Sequence, residues 1–417
     1  MVPSTLALLA LSTATALAYN EYATTNSTTT TAPYSLVADY SGADFFSHFD
    51  AFTGPDPTNG FVNYTDISTA ASLGLVGFAV HSNGSANSSS YGGFQGSKYN
   101  SSQPQPRAPT SQTPPHIYIG VDATSSNVPA PGRNSVRLSS KSTFSAGMLA
   151  VMDIHHMPTG YGTWPAAWFL GTGQTWPAVG EIDVIENTHM GDFNAMTLHT
   201  APGCTVDNAT AIGRLQNGDC NSGNAAMGCS TQAPASSKTY SKQVASAGEA
   251  FNKQGGAIYV TEWTAEGVRI WAFDRASVPS SLNTYHPSTS GFPTPLASFS
   301  GSGCDFEGRF KDMTLIINTA FCGDWAGKTW VSSGAAQKTG VSSCEAYVAA
   351  NPEAFGEAYW EIGGVKIYAN TAQPGVKGPR PVPADGSAKM VRSDGGINRE
   401  AVWGGLERKV REQRWQA

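Results

Sequence analysis

What most constrains this chain is that its apolar residues come in short runs. HIYIGVD, SVRLSS, GMLAVMDI, EIDVIE, AMTLHT, AIYVTEWT, VRIWAFD, DMTLIINTAF and YWEIGGVKIYA are mostly of strand length, bounded by Gly, Pro or Ser. No long stretch with a 3.6-residue apolar period lies between them, so an extended amphipathic helix has no template. The 45 Gly and 25 Pro supply the turns that many short strands need. The reading is an all-β chain, a β-sandwich or jelly roll of two antiparallel sheets. No fixed-period repeat points to a propeller.

Charge narrows the function. Only 13% of the 417 residues are charged and the net charge is −6, which argues against a nucleic-acid partner. Residues 1–18 end an apolar run in Ala16-Leu17-Ala18, the pattern of a secretory signal peptide cleaved before Tyr19. The alternative is a short membrane anchor, which the many Ser and Thr and the short length disfavour. Residues 19–33 form a Thr-rich lead-in, and 34–370 the expected globular domain, interrupted by a Ser/Asn/Gln/Pro-rich surface insertion near 82–115. Residues 371–417 read as a polar, basic, disordered tail, with nine Lys/Arg against five Asp/Glu from position 373 on. Six sequons, at Asn26, Asn63, Asn83, Asn87, Asn100 and Asn208, are candidate glycosylation sites of a secreted, extracellular protein. The six cysteines fall into two groups of three, Cys204/Cys220/Cys229 and Cys304/Cys322/Cys344. If all pair, at least one bridge joins the groups and closes a loop of roughly a hundred residues. Zinc ligation is the alternative, but no CxxC spacing supports it.

GEIDVIENTH, residues 180–189, raises the chemical question. Glu181 and Asp183 share one face of a strand, whereas Glu186, five steps on, would face the other way. One extra residue, a β-bulge between Asp183 and Glu186, resets the alternation and turns all three carboxylates to one side. The glutamate Cα atoms would then lie roughly 13 Å apart. Their carboxyls could approach the roughly 5–5.5 Å of a retaining glycosidase. Three clustered carboxylates cannot all ionise freely, so at least one pKa must rise. That division gives an ionised nucleophile and a protonated acid. A calcium site or a solvated edge strand is the competing reading of the same residues.

Aromatic residues crowd the same stretch. Trp164, Trp168 and Trp176 precede Glu181, His199 follows it, and NTAFCGDWAG adds Asn318, Asp324 and Trp325. Flat rings suit the apolar faces of sugars; the alternative is that some of these tryptophans are core residues of the sandwich. The pair in DIHH, residues 153–156, suggests a metal, but adjacent strand residues point to opposite faces.

GEIDVIENTH, with GTWPAAWFLG before it and MTLHT after it, resembles glycoside hydrolase family 16, and within it the fungal endo-1,3(4)-β-glucanases or laminarinases. Further matching segments are ADFFSHFDAFTGPDPTNGFVNY, SVRLSSK, AFCGDWAG and AYWEIGGVKIY, so the resemblance spans about residues 34–370. It implies a β-jelly-roll with a long concave substrate cleft. Glu181 would be the nucleophile, Glu186 the general acid/base, and Asp183 the residue that hydrogen-bonds the nucleophile. Trp164, Trp168, Trp176, Trp325 and Asn318 would bind substrate, Arg137 would donate to glucose hydroxyls, and His199 would sit beside the acid/base. For Arg137 the alternative is a surface salt bridge. No metal or other cofactor is expected, and the partner is a β-glucan substrate of a monomer that works away from membranes. Asn187-Thr188 departs from the Gly-Val the family often carries there, which bears on the leaving-group subsites. Three activities fit: hydrolysis of 1,3- or mixed 1,3/1,4-β-glucan, transglycosylation through the same intermediate, and sugar binding without chemistry, which would predict a lost glutamate.

Overall fold

A computed structural model describes residues 34–79, 115–207, 210–223, 227–239 and 242–370. The signal peptide, the Thr-rich lead-in, nearly all of the insertion, the tail, and the sequons other than Asn63 lie outside them.

Two eight-stranded antiparallel sheets dominate the described residues, beside two sheets of two strands each. In spatial order the first runs Ala297–Ser300, Gly267–Phe273, Ala257–Thr264, Met148–His156, Trp360–Asn370, His116–Ile119 and Val76–Ala79, with Tyr34–Tyr40 also on Trp360–Asn370. The second runs Arg214–Asn217, Cys229–Gln232, Ala195–His199, Glu181–Glu186, Thr163–Gly171, Met313–Phe321, Arg137–Ser140 and Phe49–Ala51. Chain neighbours are often not sheet neighbours, which is the crossing connectivity of a jelly roll. The α-helices among the described residues are at most seven residues long, as the missing helical period predicts.

The alternation of each strand builds the core between the sheets. Phe169, Ile182, Leu198, Leu315 and Ile317 face inward from the second sheet. They pack against Met152, Ile154, Tyr259, Trp263 and Ile367 of the first, all within 1% of full burial. The other face of the second sheet carries the polar and aromatic residues picked out above. The run SVRLSS divides into two strands, Arg133–Ser135 and Arg137–Ser140, with Val136 buried between them.

All six cysteines are paired, as Cys204–Cys304, Cys220–Cys229 and Cys322–Cys344. The bridge between the two groups is Cys204–Cys304, with a sequence separation of 100, against 9 for Cys220–Cys229. In the chain-entropy account the longer loop stabilises by about 2 kcal/mol more. The double variant Cys204→Ala/Cys304→Ala should therefore lose about that much more stability in urea unfolding than Cys220→Ala/Cys229→Ala.

Candidate active site

The Glu181–Glu186 strand lies between Thr163–Gly171 and Ala195–His199. Against Thr163–Gly171 its register runs Asp183↔Trp168 and then Ile185↔Ala167, so Val184 is the extra residue of a bulge. Ile182, Val184 and Ile185 all go into the core, while the carboxylates of Glu181, Asp183 and Glu186 take the opposite face. Gly180 enters the strand at φ 81°, and a Cβ there would stand 2.4 Å from the Phe310 ring, so a side chain is excluded by both torsion and space.

Each glutamate accepts from its own indole. Trp176 Nε1 donates to Glu181 Oε2 at 2.7 Å, and Trp164 Nε1 donates to Glu186 Oε1 at 2.8 Å. Trp176 is 48% exposed, with its ring 5.9 Å from that of His199. Trp164 is half-buried and meets Trp325 edge-on at 5.8 Å. Trp168, the cross-strand partner of Asp183, is buried and donates to Asn318 Oδ1 at 2.8 Å. Asn318 also donates to the Tyr64 hydroxyl at 3.3 Å, and so fixes Trp168. The Arg137 guanidinium lies between the rings of Phe52 and Trp168, 5.1 and 4.9 Å from their centroids, rather than in a surface salt bridge. Asp324 pairs with Lys328 at 2.8 Å and accepts from Asn59 at 2.9 Å, locking the turn that carries Trp325.

His199 stands beside Glu181 and Asp183, and Glu186, beside which the resemblance put it, acts on its charge as well. His199 is the cross-strand partner of Glu181, so the two side chains share one place on the face. Its Nε2 is 3.2 Å from Asp183 Oδ2 and 3.8 Å from Glu181 Oε1, and its Nδ1 is 2.7 Å from Ser222 Oγ. Gly228 at φ 73° makes room for it, because a Cβ there would lie 2.7 Å from His199 Nδ1.

Burial is the largest influence on both glutamates. It pushes the Glu181 carboxyl up to about 7, helped by Asp183 and restrained by His199, Trp176 and Arg137. Burial and Asp183 push Glu186 well above its ordinary value, with fewer restraining groups. Burial alone would lower His199, but Glu181, Asp183 and Glu186 outweigh it and its pKa rises to about 9. At neutral pH the site therefore keeps its proton most firmly on Glu186, while a cation leans on Glu181 and Asp183. These shifts also set a stability trend. Every raised group holds its proton more tightly folded than unfolded, so its contribution is complete below the unfolded pKa and lost as pH rises through the folded one. The contribution of these three groups should fall between pH 4.5 and about 9, opposed below about 6.5 by His189 and His156, whose pKa values burial lowers, and Glu186→Gln should flatten the fall in urea titrations across the range.

Further residues around the carboxylates hold the site. Asn187 donates through Nδ2 to Gly191 O at 2.7 Å and folds the following loop back on itself. His189, held neutral by burial with its pKa lowered to about 4, accepts from Gly162 N at 3.0 Å and bonds Thr329 at 3.2 Å. Asn194 and Ser222 are likewise part of the support. Their residue types and positions give no sequence signal, since they read as ordinary turn residues. The DIHH pair does divide between faces: His156 meets Glu357 at 3.0 Å, whereas His155 joins Asp153, His116 and Glu361. The His116 and His155 rings overlap 3.9 Å apart. Arg275 pairs with Asp153 on the same face.

Comparison with known proteins places this geometry. A family profile described as "XgeA-like, catalytic GH16 domain" matches residues 94–368. A probable endo-1,3(4)-β-glucanase of Aspergillus niger is 38% identical over 340 residues, 80% of this chain and 40% of that protein. The chain spans about half the length of the curated relatives it matches first, from 40% to 50%. Among solved structures, an elongating GH family 16 β-1,3-glucosyltransferase is 35% identical with a TM-score of 0.64, covering 81% of this chain and all of that one. Laminarinase 16A from Phanerochaete chrysosporium, solved with 6-O-glucosyl-laminaritriose in donor and acceptor sites, is 34% identical with the same TM-score and coverage. This chain belongs to glycoside hydrolase family 16.

Proposed function

We propose that the chain is a secreted, endo-acting, retaining β-glucanase that hydrolyses 1,3-β and mixed 1,3/1,4-β glucosidic bonds. The observation that carries this reading is the bulge at Val184, which brings both glutamates to one aromatic-lined face. Glu181, beside the His199 imidazolium, attacks the anomeric carbon. Glu186, the better proton holder, protonates the departing glycosidic oxygen. The resulting glycosyl-enzyme is hydrolysed when Glu186, now a base, takes a proton from the attacking water. Asp183 anchors His199 and, through its charge, raises both glutamates. The exposed Trp176 ring and the Trp164–Trp325 pair offer sugar platforms on either side of the carboxylates. Arg137, held against Trp168, is a donor for glucose hydroxyls.

The domain map of residues 34–370 as catalytic unit, preceded by a signal peptide and a lead-in, belongs to the same reading. So does a monomer working outside the cell, which three disulfides support. Among the described residues no helix is long and apolar enough to cross a membrane.

A second reading is transfer of the glycosyl unit to another glucan, favoured by the likeness to a glucosyltransferase of equal TM-score. The test follows reducing ends and chain length together on laminarin and on barley mixed-linkage glucan. Hydrolysis predicts a steady gain of reducing ends with falling chain length on both polymers. Longer chains without a net gain of reducing ends would favour transfer.

A further inference from the structure

The ladder between Glu181–Glu186 and Ala195–His199 ends at the pair Asp183↔Thr197. Val184 and Glu186, the two residues that carry the bulge to its end, find no strand backbone on that side. The side chain of Asn194 takes its place. Its Nδ2 donates to Val184 O at 2.7 Å and its Oδ1 accepts from Glu186 N at 2.8 Å. One donor and one acceptor on a planar amide reproduce what a backbone peptide would present. Asn194 is itself fully buried and pinned from behind. Its backbone N–H donates to Ser246 Oγ at 3.1 Å, its carbonyl accepts from Ala233 N at 2.9 Å, and Ser246 Oγ donates to Pro234 O at 2.7 Å.

We infer that Asn194 is the positioning residue of the acid/base: its carboxamide replaces the missing strand partner, holds the bulge open, and so aims Glu186 at the face that Glu181 occupies. The inference rests on the retaining reading above, with Glu186 as the proton donor. On the other side of the bulge, Ala166 pairs with Glu186 and the Trp164 indole holds its Oε1. Glu186 is thus fixed at its backbone by Asn194 and at its tip by Trp164. Glu181 is independent of this clamp, because its own ladder to His199 is intact. No smaller side chain can donate and accept at once over this span. An aspartate would set a carboxylate oxygen against the Val184 carbonyl in a site without water access.

The prediction is a split between substrates. In Asn194→Ala, kcat/KM on laminarin, whose sugar leaving group needs the proton, should fall on the order of 10²-fold. On a dinitrophenyl β-glucoside of laminaribiose, whose leaving group needs none, kcat/KM should stay within about threefold. The alkaline limb of the laminarin pH profile should move as well, since the surroundings of Glu186 change. If Asn194→Ala does not fold, Ser246→Ala, which only loosens the anchor, should show the same split at roughly tenfold. Equal losses on both substrates, with an unmoved pH profile, would overturn the inference and reduce Asn194 to a packing residue. Glu186→Ala run alongside separates the two levels. If it shows the split and the Asn194 and Ser246 variants do not, the positioning role alone fails. If Glu186→Ala shows no split, the acid/base assignment fails first.

Discussion

Glu181→Ala should lower kcat on laminarin by about 10⁴- to 10⁶-fold, the scale seen when a covalent nucleophile is removed. The size of the loss follows from the site. Glu181 is the carboxylate whose proton the His199 imidazolium, the Trp176 indole and Arg137 all help to release. Asp183 is fully buried against His199 and too short to replace it. The alanine leaves a cavity open to small anions, and added azide should restore part of the rate. The azide nitrogen bonds to the anomeric carbon as the glycosidic C–O bond breaks, and Glu186 supplies the proton to the departing sugar. One displacement instead of two gives an α-glycosyl azide, an inverted product that NMR identifies. A variant with full activity, or an azide product of β configuration, would remove Glu181 from the nucleophile's role.

Glu186→Ala should behave differently. With laminarin, kcat/KM should fall by about 10²- to 10⁴-fold, the range for loss of general acid catalysis. With an aryl glycoside of low leaving-group pKa, the first step should be nearly untouched and the glycosyl-enzyme should accumulate, because no base remains to activate water. A burst of aryl alcohol followed by a slow steady state is the expected trace. The alkaline limb of the wild-type pH profile, set by the raised pKa of Glu186, should vanish in the variant.

The sequence pointed to the candidate site where it contradicted its own pattern. Alternation alone puts Glu186 on the wrong face, and the bulge that repairs it sits at Val184, within the interval the spacing demanded. The parity of the cysteine groups required one long bridge, but nothing in the spacing identified Cys204 and Cys304 as its ends. The strand Thr163–Gly171 is hard to read because Pro165 interrupts it; a proline has no ladder donor, yet here its carbonyl accepts from Asn187 N at 3.3 Å, just beyond the bulge. His199 was legible as a site residue, but its neighbour was not, since cross-strand register decides whether it meets Glu181 or Glu186. Asn194 carried no signal at all. A buried carboxamide that stands in for a strand is distinguishable from a turn asparagine only once the ladder beside it is seen to stop.

The central claim is that Glu181 and Glu186 work by double displacement on a β-glucan. Proton NMR of laminarin digestion from the first minute tests it most directly, because the anomer formed first is read before mutarotation blurs it. The account predicts oligosaccharides with β reducing ends, which relax slowly toward the equilibrium mixture. Reducing ends that appear first as the α anomer would mean a single displacement by water and would contradict it.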